Sequence, residues 1–356
     1  MMMTNTKKRF GRRRLVWAIA LVALVAVAIG MMLWPTNYYV ESPGDAFSVG
    51  QFLKSSAHQR YRPNNLYLVT VSLSAQPVTA AEYVWSYTQP FDERIPAKAL
   101  LGGASNSQYA ELQTWYMETS QQNAVYLAAK TAGLKPKLSY HGVYVMGIQA
   151  GSSFKHQLQI GDTIVGANQR HFKSVQALMN YLQTQRLSAT LRLQIIRGKR
   201  QLTLRGKIVK VTGTTRRGIG ISLVERVKVT THPKLQINAA DIGGPSAGLM
   251  FTLASYQVFT HHQLAKGQRI AGTGTISPDG KVGIIGGVDK KVVAASRAGC
   301  QVFFAPTDST GVKANATNYV VAKKTAERIH TKMKIVPVAT FRQALNYLKH
   351  HQRSSR

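Results

Sequence analysis

The stretch Asp241-Ile242-Gly243-Gly244-Pro245-Ser246-Ala247-Gly248 decides how this chain reads. Its glycines allow a sharp turn out of a strand predicted over 234–239 (KLQINA). The apolar run AGLMFTLASYQVF (247–259) follows and predicts a helix. Ser246 therefore falls at the helix start. A hydroxyl there meets free backbone N–H groups and the positive end of the helix dipole. Those groups can also hold an oxyanion during acyl transfer, so Gly243, Gly244 and Pro245 are candidates for a nucleophile turn and oxyanion region. The plainer role for such a serine, and the commoner one, is an N-cap.

A second stretch, Gly286-Gly287-Val288-Asp289-Lys290-Lys291, leads into a helix over 290–299 that Gly299 stops. At about 100° per residue, Val288, Val292 and Ala295 share one face with Lys291, while Lys290 points roughly 160° away from Val288. An amine on an apolar face loses solvation, which favours its neutral form. A neutral amine can take the proton of a serine. The alternative is a lysine that snorkels to solvent from a surface helix.

The motif Gly-Gly-Pro-Ser-Ala-Gly, with a lysine 45 residues after Ser246, resembles the proteolytic domain of Lon-type serine proteases. The segments Gly272-Thr273-Gly274-Thr275-Ile276, Gly280-Lys281-Val282 and Ile285-Gly286-Gly287 extend the resemblance over residues 241–299. It implies Ser246 as nucleophile, Lys291 as general base and Thr273 as the residue that orients the lysine amine. Two positions depart from the pattern. Gly243 stands where the family has an Asp three residues before the serine, and Thr275 stands for its strand glutamate. No role of that Asp is carried to Asp241. The nearest P-loop lookalike, Gly274 to Lys281, has one residue too many and ends in Val282, so ATP is not expected.

Upstream, residues 142–210 predict a strand (142–148), a turn–strand–turn (158–169), an amphipathic helix (174–182) capped by Ser174, and a hairpin (191–198, 201–209). With Gly151-Ser152-Ser153 and Ile160-Gly161-Asp162-Thr163-Ile164, this resembles a circularly permuted PDZ domain of bacterial proteases. The resemblance implies an extended peptide added beside Val143, Tyr144 and Val145, under a helix presenting Val175 and Leu178. A Gly-Leu-Gly-Phe-type carboxylate loop is not evident at Tyr140–Val143. A spacer domain with a filled groove is the competing reading.

The first forty residues carry Lys7, Lys8, Arg9, Arg12, Arg13 and Arg14, then an uncharged run from Leu15 to Trp34. Twenty apolar residues in a helix rise about 30 Å, enough to span a bilayer. A cleaved signal has a shorter core and a small-x-small site, so an uncleaved anchor is expected. A buried core helix is the other alternative. The flanking cations put the N-terminus in the cytoplasm and the rest outside the membrane. Trp17 and Trp34 fall near the two interfaces.

The whole order resembles membrane-anchored, PDZ-containing Lon-type proteases of Gram-positive bacteria, the SepM/YlbL-like group. The expected fold class is α+β. The expected parts are a basic segment (1–14), an anchor (15–34), a segment packing on the protease domain (35–125), a PDZ-like domain (126–210), a Lon-type domain (211–349) and a basic tail (350–356). The resemblance implies peptide or extended protein substrates, such as secreted peptides or small exported or membrane proteins.

Of the 46 Lys and Arg, six precede the anchor, leaving 40 against all 14 acids beyond it. Placed outside the membrane, that charge suits anionic lipid or wall polymer, and no nucleic acid partner is expected. The region 150–217 holds 13 Lys/Arg against Asp162 alone, so a non-catalytic binding module for anionic polymer, or a scaffold, remains the alternative class. One cysteine, Cys300, excludes an intramolecular disulfide framework and a multi-cysteine zinc site. His261-His262 and His350-His351 lack a metal spacing. No metal or cofactor is expected, and the oligomeric state is not legible. Ser152-Ser153-Phe154-Lys155 matches S-x-x-K without that family's other motifs and reads as chance.

Overall fold

The structure is a computed structural model. It describes residues 5–56, 65–172, 174–211, 215–239, 242–264, 267–308, 313 and 316–351. Asp241, singled out above, lies outside the described residues.

The chain begins with α1 (Asn5–Leu33), β1 (Tyr38–Ser48), β2 (Leu53–Ser55), β3 (Leu66–Leu73), α2 (Ala80–Trp85), β4 (Glu93–Pro96), α3 (Ala97–Leu101) and α4 (Asn106–Thr131). Then come β5 (Lys137–Ile148), β6 (Thr163–Ala167), β7 (Arg170–His171), α5 (Val175–Thr184), β8 (Thr190–Arg197) and β9 (Arg200–Lys207). The short β10 (Val209–Lys210) and β11 (Arg217–Gly218) lead to β12 (Ile221–Thr230) and β13 (Leu235–Ile237). The last part is α6 (Gly248–Thr260), β14 (Ile270–Gly272), β15 (Thr275–Ile276), β16 (Val282–Gly283), α7 (Val288–Arg297), β17 (Val302–Pro306), α8 (Asn318–Arg328), β18 (Lys334–Val338) and α9 (Phe341–His351).

By compactness the chain forms two units, Met1–Pro43 with Val71–Gly103, and Gly44–Thr70 with Ala104–Arg356. In the first, Leu15–Leu33 of α1 is long and apolar enough to cross a membrane and almost wholly exposed, which supports a single-pass anchor. Tyr38–Glu41 pairs antiparallel with Glu93–Pro96.

In the second unit, β18, β17, β14 and β3 form a parallel array in that order. Alternation along its strands feeds two cores. Leu66, Leu68, Ile270, Val302, Phe304, Val336 and Val338 join α4, α6 and α9 on one face. Val69, Ala271, Phe303 and Ala305 join α7 and α8 on the other. Residues 44–70 and α4 are thus built into the same core as α6. β1 runs straight through Ser42-Pro43-Gly44, despite the turn-forming composition of that tripeptide. Gly44 is needed there because a Cβ would stand 2.5 Å from Thr70 Oγ1 and 2.8 Å from Thr70 O. The stretch 269–276 forms two short strands, β14 and β15. Gly274 breaks it at φ +149, where a Cβ would collide with Val282 Cγ1 at 2.5 Å.

The inserted β-rich segment is an antiparallel sheet in the order β12-β5-β6-β8-β9, with α5 over it. Val143, Val145, Phe154, Ile164, Leu178, Leu191, Leu193 and Ile195 fill its own core. Buried Asp162 pins it, accepting from Arg197 Nε at 2.7 Å and Nη2 at 2.7 Å. The chain is therefore a mixed α and β architecture with an N-terminal apolar helix.

Candidate active site

Helix α6 is largely apolar with no polar face and is buried from Gly248 to Phe259, so it runs through the core and not over the surface. The turn before it is gripped by α4. Gly244 N–H donates to Gln113 O at 3.0 Å, and Ser120 Oγ donates to Pro245 O at 3.0 Å. Gly244 has φ +83, a conformation glycine adopts without strain. Gly243 is exposed, and Pro245 and Ser246 are half-buried, so the Ser246 hydroxyl stands at the edge of the core.

The backbone of Ser246 is fixed as well. Its carbonyl accepts from Gly274 N–H at 2.8 Å and from Thr273 Oγ1 at 3.1 Å. Thr273 is fully buried, and its own N–H donates to Phe304 O at 3.1 Å, which ties it to β17.

Lys291 enters from α7, whose first turn follows Gly287 at φ +62. It is 3% exposed. Its Nζ donates to Ser246 Oγ at 2.8 Å and reaches Thr273 Oγ1 at 3.4 Å. The fold thus brings together Ser246 from the turn before α6, Thr273 from the link between β14 and β15, and Lys291 from α7. An amine so enclosed gains from being neutral, because burial penalises its charge. A serine hydroxyl within hydrogen-bond reach of such an amine can be deprotonated as it attacks an acyl carbon.

Lys290 differs from what the helical wheel suggested. It is also buried, 2% exposed, with Nζ 3.5 Å from Asp289 Oδ1. Residues 290–295 of α7 are buried on every side, because the helix packs against both the sheet and α8.

The peptide edge expected at Val143, Tyr144 and Val145 is a correction. All three are buried, and β5 is paired on both edges, with β12 (Val143 opposite Glu225) and with β6 (Val143 opposite Ile164). No room remains there for an added strand. The outer edge of β12 has no strand partner among the described residues, and this strand packs against α5, where Glu225 Oε1 accepts from Val175 N–H at 3.0 Å. Leu178 faces the core instead of a groove, and Val175 is half-buried. The missed signal was Gly218-Ile219-Gly220-Ile221. It carries the glycine–apolar–glycine–apolar pattern sought before Val143, but leads into β12.

Ser152 of the S-x-x-K lookalike is a structural residue. It is buried, and its hydroxyl is engaged by Ile219 O and Phe154 N–H.

The Lon protease (S16) C-terminal proteolytic domain matches residues 190–349, and a PDZ domain matches residues 121–208. The chain thus carries an S16-type serine-protease domain together with a PDZ domain. Similar proteins include the Lon protease of Fusobacterium nucleatum, 40% identical over 80 residues, which are 22% of this chain and 10% of that protein. The Lon protease of Metamycoplasma arthritidis is 31% identical over 129 residues, 36% of this chain and 14% of that protein. The chain therefore spans only a small part of the length of these relatives. A PDZ domain of an SdrC-like protein from Listeria monocytogenes is 28% identical, covering 25% of this chain and 93% of that one, with a TM-score of 0.24.

Proposed function

We propose that this chain is an ATP-independent serine endopeptidase in which Ser246 is the nucleophile and Lys291 the general base. The 2.8 Å approach of Lys291 Nζ to Ser246 Oγ inside the core carries this reading. In the active form the amine is neutral. Ser246 Oγ attacks the peptide carbonyl carbon, and its proton passes to Nζ. The oxyanion that forms lies by the turn Gly243-Gly244-Pro245, before the start of α6. The ammonium then returns the proton to the leaving nitrogen as the C–N bond breaks. Water, deprotonated by the same amine, releases the acyl group from Ser246. Thr273 holds the amine at the correct height by its hydroxyl.

The six cations before α1 support an orientation with the catalytic part on the outer face of the cytoplasmic membrane. Substrates are then secreted peptides or extended segments of small exported or membrane proteins. The surplus of cations beyond the anchor favours acidic peptides and contact with anionic lipid or wall polymer. The open edge of β12 beside α5 supports peptide capture by strand addition to the PDZ domain.

The test compares extracellular and membrane peptides, by mass spectrometry, from cells carrying the wild-type chain or Ser246→Ala. New termini present only with the wild type are expected. The same termini persisting in Ser246→Ala cells would remove Ser246 from the mechanism.

A further inference from the structure

The first unit carries an exposed apolar face that the protease reading does not use. At 100° per residue, Ala81, Val84 and Trp85 share one side of α2 by their i, i+3, i+4 spacing. Val84 is 55% exposed, Trp85 66% and Tyr87, in the turn that follows, 63%. The opposite side of α2 is packed, with the Tyr83 ring 4.9 Å from that of Tyr38. Its one acid, Glu82, is turned back to cap the helix, accepting from Thr79 N–H at 2.8 Å. Tyr87 lies under a cation, with the Arg94 guanidinium 4.0 Å from its ring centroid.

This face is tied to the end of the membrane-length helix. Ala80 N–H donates to Trp34 O at 2.9 Å, and Thr36 N–H donates to Val78 O at 2.8 Å. Pro35 and Thr79 form a β-bridge. The first residue of α2 is therefore bonded to the residue that follows α1. Six helical residues rise about 9 Å, comparable to the depth of one headgroup region. Trp34, at the junction, is itself 73% exposed. Exposed Trp and Tyr with a nearby Arg, starting where a span ends, match the chemistry of the bilayer interface, which accepts an apolar ring and hydrates its polar edge.

We propose that Val84, Trp85 and Tyr87 dock into the phospholipid interface where α1 leaves the membrane, so that the first unit lies on the bilayer surface. This rests on the reading of α1 as a membrane anchor. The occupant is the lipid of the membrane that α1 spans.

The experiment uses the full chain in vesicles of phosphatidylcholine and phosphatidylglycerol, with nitroxides on Val84→Cys and, separately, on Val25→Cys within the span. Cys300 is buried, with its thiol pushed up to about 11, so it stays unlabelled. The readout is the ratio of collisions with oxygen to collisions with a water-soluble nickel chelate. At Val84 the ratio is expected to be several-fold above that of free nitroxide in buffer and below that at Val25. Adding Trp85→Ser and Tyr87→Ser should lower it toward the water value. A Val84 label as wet as free nitroxide, with Val25 in hydrocarbon, overturns the docking and leaves the anchor intact. Both labels in water overturn the anchor and the docking together. Dipolar broadening between Val84 labels would make the occupant a second copy of the chain and also overturn the proposal.

Discussion

Lys291 Nζ lies 2.8 Å from Ser246 Oγ, although 45 residues and four elements separate Ser246 from the helix of Lys291. The amine is enclosed and the hydroxyl half-exposed, which is the arrangement a base and its nucleophile require. Ser246→Ala and Lys291→Met should each reduce peptide cleavage by at least about a thousand-fold, since a nucleophile or base acts as part of one unit. Lys291→Met keeps the length and fills the site, so far-UV circular dichroism and the melting temperature should stay close to wild type. Cleavage within tenfold of wild type in either folded variant would falsify the dyad.

The sign of the pH dependence follows from the proton. Lys291 donates to Ser246 while charged, and it can accept the serine proton only after losing its own. The rate constant kcat/KM should therefore rise with pH through the pKa of the amine in the folded protein and then level off. Lys291→Arg keeps the charge but cannot deprotonate in this range, so it should be inactive at every pH. A profile that is flat from mildly acidic to mildly alkaline pH would count against a lysine base.

The candidate-site residues were legible because their signals are local. Glycines around Ser246 and Lys291 mark two turns into two helices, and each motif fits within eight residues. What escaped the sequence depends on non-local pairing. The partner of β5 is β12, which follows β9 in the chain, so the edge next to α5 is not where the strand 143–148 suggested. Lys290 escaped for a related reason. A helical wheel has one buried face, whereas α7 is enclosed by the sheet and by α8, itself not foreseen. Ser42-Pro43-Gly44 has the composition of a turn yet lies within β1, because Gly44 serves a close approach to Thr70 and not a reversal.

Thr273 separates positioning from chemistry. Its hydroxyl donates to Ser246 O and faces Lys291 Nζ, while the same carbonyl keeps its bond from Gly274 N–H. Thr273→Val keeps the shape and removes the hydroxyl, at a cost of about 1 kcal/mol in stability. We expect kcat to fall about tenfold, on the low side for loss of a catalytic group itself, with KM little changed and the pH profile displaced. Thr273→Ser should restore both. An unchanged pH profile in a folded Thr273→Val protein would reduce Thr273 to a packing residue.

Gly248 gives a prediction opposite in sign to helix propensity. Alanine is better than glycine inside a helix by about 1 kcal/mol, so Gly248→Ala at the start of α6 should stabilise if only propensity counted. Here the new Cβ would stand 2.7 Å from Ile276 Cγ2, 2.8 Å from Ser120 Oγ and 2.9 Å from Ile276 N. One of these atoms is backbone and cannot step aside. Another is the hydroxyl that holds Pro245 O, three residues before the helix. Overpacking of this kind costs roughly 1–3 kcal/mol and would push α4 off the nucleophile turn. Gly248→Ala should therefore lower the melting temperature and the cleavage rate together. A melting temperature at or above wild type would show that α4 and the Thr275–Ile276 strand yield more easily than the contacts imply.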